Sequence, residues 1–365
     1  MLDVHIIGGG PAGCFAGIAA CLEGKNALIS EEHRKIGEPV ACSGLISKSG
    51  LDALSKFVDY RKAAINTIDS ARVISGKEEF CIKPSSERAI LVDRERFDTL
   101  AAERFELEGG KIELGRRVTR DFRCRAVIGC DGPASSVAAR FGFPKIRSFV
   151  AAMQGDFEYA CNDPHEAVLY LSSRDSPGFF GLAIPKNEEE AKLGIGVALP
   201  RHPLPHYRRF ISRLGVGNAP KNEFSAVIPT SLRRATVMEK GGHTVLLAGD
   251  SAGQVKATTG GGVFFGASCG LLSGKYCSKP KEYERQWKRA FWLDLALHRH
   301  LRSLLDVSGG QPHPLFLTSA KALFFDDLLS EKGKMDRLGQ MIKPSLLADY
   351  ARIIKRNVIK TRGRG

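Results

Sequence analysis

The sequence predicts a mixed α/β fold in three parts: a parallel α/β layer, an inserted antiparallel sheet and a helical C-terminal region. Three observations predict it. An apolar run at 2–7 leads into Gly8-Gly9-Gly10-Pro11-Ala12-Gly13 and then into a small-residue-rich segment ending at Leu22, the order strand, tight turn, helix. Two-residue alternation recurs at 167–171, 181–185 and 193–199, within a span, 146–239, that reads as antiparallel strands. From 281 to 306, Tyr283, Trp287, Phe291, Leu295, Leu301 and Leu305 follow a helical period,.

Composition narrows the function classes. The 365 residues are 43% hydrophobic and 26% charged, which suits two to three globular domains and excludes wholesale disorder. The 39 glycines show no collagen-like period, and no solenoid repeat is visible. Of the net charge of +14, a net +8 falls from Lys332 onward, ten Lys/Arg against two Asp/Glu. Such a tail suits phospholipid headgroups, an acidic protein or nucleic acid; it also suits a solvated helical face with a frayed end. No zinc-finger, RNP or bZIP pattern accompanies it, so nucleic acid is not an expected partner.

Nine cysteines stand singly with no C-x-x-C. That argues for a reducing cytosol and against a disulfide framework or a zinc site. Residues 4–22 and 257–274 carry no formal charge. The first lacks a basic leader and the second holds six glycines, so neither reads as a signal peptide or spanning helix. The expected location is cytoplasmic, with peripheral contact at the inner membrane face as an option.

The strongest signal is G-x-G-x-x-G at Gly8, Gly10 and Gly13. These glycines turn the chain, admit a pyrophosphate to the backbone and pack helix on strand. A second strand at 26–30 ends at Glu31, 23 residues after Gly8, where an acid can accept from a ribose hydroxyl. Glu32 is the competing acid; Glu31 is preferred because it directly ends the strand. Together these elements point to an adenine dinucleotide.

Two later segments choose FAD over NAD. Residues 126–130 form an apolar run ending in Asp131-Gly132. Residues 244–248 form another, followed by Gly249-Asp250-Ser251-Ala252-Gly253 and then Gly260-Gly261-Gly262-Val263. Asp250 suits ribityl hydroxyls, and amides at the next helix N-terminus suit a pyrophosphate or flavin carbonyls. These three elements in this order resemble the FAD-containing aromatic-hydroxylase superfamily. The resemblance implies a Rossmann-like FAD-binding domain of the p-hydroxybenzoate hydroxylase type, with Val118 and Asp131 among its cofactor contacts. Gly194-Ile195-Gly196 lacks a third glycine, so no separate NAD(P)H domain is expected.

Within that superfamily, Ile36-Gly37-Glu38-Pro39-Val40-Ala41-Cys42-Ser43-Gly44 resembles the I-G-x-P-V-x-C-x-G loop of the geranylgeranyl reductase family. Asp93-Arg94-Glu95-Arg96-Phe97-Asp98 is similar to its D-R-x-x-F-D helix start, whose arginine contacts the flavin. Gly260-Gly261-Gly262-Val263 is similar to its T-G-G-G-I helix. The likeness runs from residue 1 to about 275 with gaps, and it implies cofactor contacts at Cys42, Ser43, Gly44, Arg94, Gly261, Gly262 and Val263. The family's P-x-x-Y-x-W-x-F-P strand becomes Pro177…Phe180-Gly181-Leu182-Ala183-Ile184-Pro185. The prolines and spacing survive, but the aromatics become Phe180, Leu182 and Ile184. These share one strand face, either walling an isoprenoid cavity or packing a core.

The resemblance implies FAD reduced by an external donor (ferredoxin, reduced deazaflavin or NAD(P)H) and then saturation of double bonds in a prenylated lipid. No catalytic acid is assigned. Two rival readings are a flavin monooxygenase of the same superfamily and a flavin electron-transfer protein.

Several motifs are discounted. Gly266-x-Ser268-x-Gly270 mimics a hydrolase elbow but falls inside a helix,. The two prolines between His202 and His206 argue against a helical metal pair,. His298 and His300 splay apart, and His5 packs in the first strand. The expected organisation is a FAD domain from 1–75, 85–145 and 240–275, a substrate domain from 146–239, and a helical region from 276–365. Its last helices are expected near 318–330 and 345–360. The latter is a basic amphipathic stripe that either lies on an anionic bilayer or docks on its own protein.

Overall fold

A computed structural model describes residues 1–84, 88–307 and Asp336. The helices expected near 318–330 and 345–360, with the basic amphipathic stripe, lie outside the described residues. The chain opens with β1 (Val4–Ile7), α1 (Pro11–Leu22), β2 (Ala27–Ser30), β3 (Leu45–Ser47), α2 (Lys48–Leu54), β4 (Ala64–Ile68), β5 (Ser70–Ser75) and β6 (Glu78–Ile82). It continues through β7 (Ala89–Val92), α3 (Arg94–Leu107), β8 (Lys111–Glu113), β9 (Ala126–Gly129), α4 (Ser136–Phe141), β10 (Phe149–Glu158), β11 (Glu166–Leu171) and β12 (Gly181–Pro185). Last come β13 (Glu190–Ala198), α5 (Pro203–Arg213), β14 (Lys221–Pro229), β15 (Val237–Lys240), β16 (His243–Leu247), α6 (Val263–Lys275) and α7 (Pro280–Val307).

The first sheet has the order β15-β16-β9-β1-β2-β8. All its neighbours are parallel except the β15–β16 edge pair. Every residue of β1, β2 and β9 is buried, which is why these strands read as continuous apolar runs rather than alternations. Helices α1 and α6 cover it at close range. A Cβ on Gly270 would overlap the Ala12 carbonyl oxygen, and one on Gly274 would overlap that of Ala16. The Gly266-x-Ser268-x-Gly270 pattern lies within α6, and its glycine at 270 serves this approach.

The second sheet has the order β14-β10-β13-β12-β11-β5-β6. It departs from the expected organisation in two ways. Strands β5 and β6 come from before residue 85, yet they complete this sheet, and the β11–β5 pair is parallel. Alternating strands look the same to a sequence pattern whichever sheet they join. Helix α5 also interrupts a span expected to be all strand. Its prolines sit in the first turn, where no intrahelical N–H bond is needed, and His202 accepts from Leu204 N as the cap. A small third sheet has the order β3-β7-β4.

Helix α7 buries Tyr283, Trp287, Phe291 and Leu295 on one stripe. Tyr283 Oη donates to the Leu247 carbonyl (2.6 Å), and Trp287 Nε1 donates to Thr236 Oγ1 (2.9 Å). The helix is thus tied to the strand that delivers Gly249 and Asp250. No helix among the described residues is long and apolar enough to cross a membrane.

Candidate functional site

The β1–α1 turn is built from three glycines with different tasks. Gly8 has φ +102°, and a Cβ there would collide with the Cys130 carbonyl; a Cβ on Gly13 would overlap the Gly8 carbonyl. Gly10, which caps α1, faces open space with nothing within 4 Å of an ideal Cβ. The unpaired N–H groups of a helix's first turn make such a place receptive to negative charge.

Two adjoining cavities of about 470 and 290 Å³ meet at this helix end. They share Gly10, Pro11, Cys42, Arg94 and Cys130, forming one trough. At its polar end Glu31 is 8% exposed. Its carboxylate accepts from Gly9 N (2.6 Å) and His33 N (2.9 Å), with His33 Nδ1 at 2.6 Å. Glu32 also reaches the trough wall, but it is half-exposed and paired with Arg117 at 3.4 Å. Val118 is buried against the same end. Asp131 lines it too, although its carboxylate already accepts from Ser135 Oγ, Ser136 Oγ and Val137 N at 2.6–3.0 Å. Those bonds make Asp131 the organiser of the α4 turn.

In the middle of the trough Arg94 is held by Asp98, with Nη2 to Oδ2 at 2.9 Å and Nε to Oδ1 at 3.2 Å. Burial opposes the Arg94 charge, but the Asp98 carboxylate holds the guanidinium well above its ordinary value. Burial pushes the Asp98 carboxyl up, and Arg94 offsets part of that rise. In the sequence Asp98 closes the Asp93–Asp98 motif, and its i, i+4 spacing from Arg94 is the signal for this pairing.

Gly249, Asp250, Gly262 and Val263 line the other half. The Asp250 carboxylate accepts no hydrogen bond among the described residues, although its backbone carbonyl accepts from Gly253 N (3.0 Å). Burial pushes its pKa up to about 6, against the pull of the Arg94 charge. Gly13 and Gly44 stand back from the trough. Gly44 has φ +83°, and a Cβ there would overlap the Val92 carbonyl, so it keeps the Cys42–Ser43 loop close to β7.

A third cavity, of about 400 Å³, adjoins the trough. Cys42, Ser43, Phe180, Leu182, Gly262 and Val263 belong to both. Ile184 and Gly261 line the third cavity, with Leu45, Ile68, Val73 and Leu169. Phe180, Leu182 and Ile184 therefore share one wall, as their spacing predicts.

The end of this cavity is polar, which the sequence reading missed. Lys256 Nζ lies 2.7 Å from Asp336 Oδ1, and Ser47 Oγ donates to the same carboxylate. Burial opposes the Asp336 charge, yet Lys256 and these hydrogen bonds hold its pKa below the ordinary value. His298 Nδ1 is 2.6 Å from Thr258 Oγ1, while Nε2 is buried without a partner among the described residues. Burial, helped by the Lys256 charge, lowers the His298 pKa to about 3. The available signal was that His298 lies three residues beyond Leu295 on the buried stripe of α7. His300 is exposed, and His5 packs against Ser30 Oγ at 2.9 Å. No metal-ligating cluster occurs among the described residues.

No protein-family model matches the chain. An uncharacterized protein of Methanocaldococcus jannaschii is 28% identical, covering 92% of each chain. The digeranylgeranylglycerophospholipid reductase 2 of Methanothermobacter thermautotrophicus is 26% identical, over 87% of this chain and 91% of that one. Among solved structures, a geranylgeranyl bacteriochlorophyll reductase-like protein of Thermoplasma acidophilum superposes with a TM-score of 0.77 at 19% identity. It covers 96% of this chain and 98% of its own. The fold is the p-hydroxybenzoate hydroxylase type expected from the sequence.

Proposed function

We propose, for a chain that belongs to the geranylgeranyl reductase family, that it is a FAD-dependent reductase saturating carbon–carbon double bonds of a polyprenyl lipid. The observation that carries this reading is the apolar cavity of about 400 Å³ opening into the trough at Cys42, Phe180, Leu182 and Gly262. The trough fits FAD. Gly10 leaves room at a helix N-terminus where a Cβ would project, and the Asp250 carboxylate faces the trough with no hydrogen-bond partner among the described residues.

On this reading Gly10 at the α1 N-terminus would hold the pyrophosphate, while Gly8 and Gly9, whose N–H groups donate to the Ser30 carbonyl and the Glu31 carboxylate, shape the turn. Glu31 would hold the adenosine ribose and Asp250 a ribityl hydroxyl. Arg94, fixed by Asp98, would set the charge in the middle of the trough. FAD held there would, once reduced, supply hydride chemistry, one alkene carbon receiving the hydride and the other a proton. An isolated alkene accepts hydride poorly, so the protein's part is placement in a dry site. Leu182, Ile184, Val73 and Leu169 align the chain and exclude water, and Cys42 and Val263 border the passage where chain and cofactor meet. The parallel layer then acts as the cofactor domain and the seven-stranded sheet as the substrate roof.

The test is anaerobic. Purified protein is reduced with dithionite and mixed with geranylgeranyl lipid, while the flavin band near ~450 nm and the lipid mass are followed. Reoxidation with mass gains in steps of two hydrogens is expected. Flavin that stays reduced until O2 enters would point instead to monooxygenase chemistry.

A further inference from the structure

Away from the trough, a cavity of about 330 Å³ lies where the chain entering β10, the chain leaving β14 and helix α7 converge. Lys145 and Arg147 come from the first, Arg234 from the second, and Arg299 and Arg302 from the third. Among the described residues, no acidic one lines it. Among the described residues Lys145, Arg147, Arg234 and Arg299 form no ion pair. Like charges converging on one concavity repel, and a bound anion relieves that repulsion.

The cavity is built rather than merely charged. Arg302 is 4% exposed, donates toward the Ala257 carbonyl (3.5 Å), and sits over the Phe179 ring at 5.2 Å. Ser231 Oγ accepts from Arg147 N (3.0 Å) and Ser148 N (3.3 Å), fixing the rim. Phe179 also lines the trough and stacks on Phe180 at 4.3 Å between centroids. One guanidinium and one ring therefore separate the basic cavity from the candidate site.

We propose that this cavity binds the phosphate groups of a small ligand of the reaction. Guanidinium groups recognise phosphate oxygens by paired N–H donors, and four of the five cations here are arginines. The inference rests on the reductase reading for the ligand's identity. Two sources share the chemistry: a phosphorylated soluble reductant and the phosphate head of the lipid.

The experiment uses the full chain. Pyrophosphate is titrated by calorimetry at fixed ionic strength, with wild type compared against Arg147→Glu/Arg299→Glu and Arg147→Lys/Arg299→Lys. Binding by wild type is expected to weaken about tenfold or more in the glutamate variant, with most of it kept in the lysine variant. Flavin absorbance of each purified variant reports the fold. No pyrophosphate binding beyond that of chloride, or equal binding by the glutamate variant, would overturn the proposal. In a second arm NADPH and geranylgeranylglyceryl phosphate each compete with bound pyrophosphate. Competition by either supports the proposal and names the source, and competition by neither overturns it. This readout needs no turnover, so it fails independently of the prenyl-reduction test.

Discussion

An ideal Cβ built on Gly10 meets nothing within 4 Å, whereas one on Gly13 would overlap the Gly8 carbonyl oxygen. Gly10 also has φ −73°, which alanine adopts freely,. Gly13→Ala is therefore expected to destabilise the protein by at least about 2 kcal/mol. Gly10→Ala should leave unfolding of the flavin-free protein within about 1 kcal/mol of wild type and still weaken FAD retention. Denaturant unfolding and flavin content after gel filtration check both, and a Gly10→Ala protein retaining full flavin would count against the trough. All three glycines were legible in the sequence because their geometry is set within six consecutive residues. So were their separate tasks, but the collision partner of Gly8, Cys130, is known only once β9 lies beside β1.

Strand register, rather than any single residue, shapes the lipid wall. Pairing of β5 with β11 and of β11 with β12 sets Val73, Leu169 and Leu182 in one cross-strand row, and Gly194 of β13 continues it. The row thus runs from large apolar side chains to none at all. Leu169 lines the apolar cavity and not the trough. A carboxylate in that dry wall costs about 2 kcal/mol or more of apolar contact. Leu169→Asp should therefore lower kcat/KM for geranylgeranyl lipid by about 30-fold with flavin content unchanged. A normal rate, measured by anaerobic flavin reoxidation, would move the lipid elsewhere. The alternation of 181–185 predicted the shared face of Phe180, Leu182 and Ile184. It could not reveal that β5 supplies the next column, because that neighbour is nearly a hundred residues distant in the chain.

For the molecule as a whole, two buried histidines set an acid limit on stability. Burial, aided by the charges of Arg123 and Arg116, lowers the His5 pKa to about 4, and burial lowers that of His298 to about 3. Both lie below the ordinary 6.5, so the unfolded chain binds the proton first. Their contribution is fully present above about pH 6.5 and is lost as pH falls toward 4, by about 1.4 kcal/mol per pH unit for each. His5→Gln should flatten the fall between pH 6.5 and 4 by one proton. Identical slopes in urea unfolding would show that His5 ionises freely in the fold.

The parallel layer, the dinucleotide turn and the acid at the end of β2 were determined by sequence alone, because each depends on residues adjacent in the chain or on a run buried whole. Only the tertiary structure decided that Ser47, Lys256, His298 and Asp336 form one polar cavity end, and that Lys145, Arg147, Arg234, Arg299 and Arg302 converge on another. Those groups come from segments with no shared periodicity. They meet because sheet pairing and the packing of α7 bring them together, and no local pattern encodes a distance across the fold.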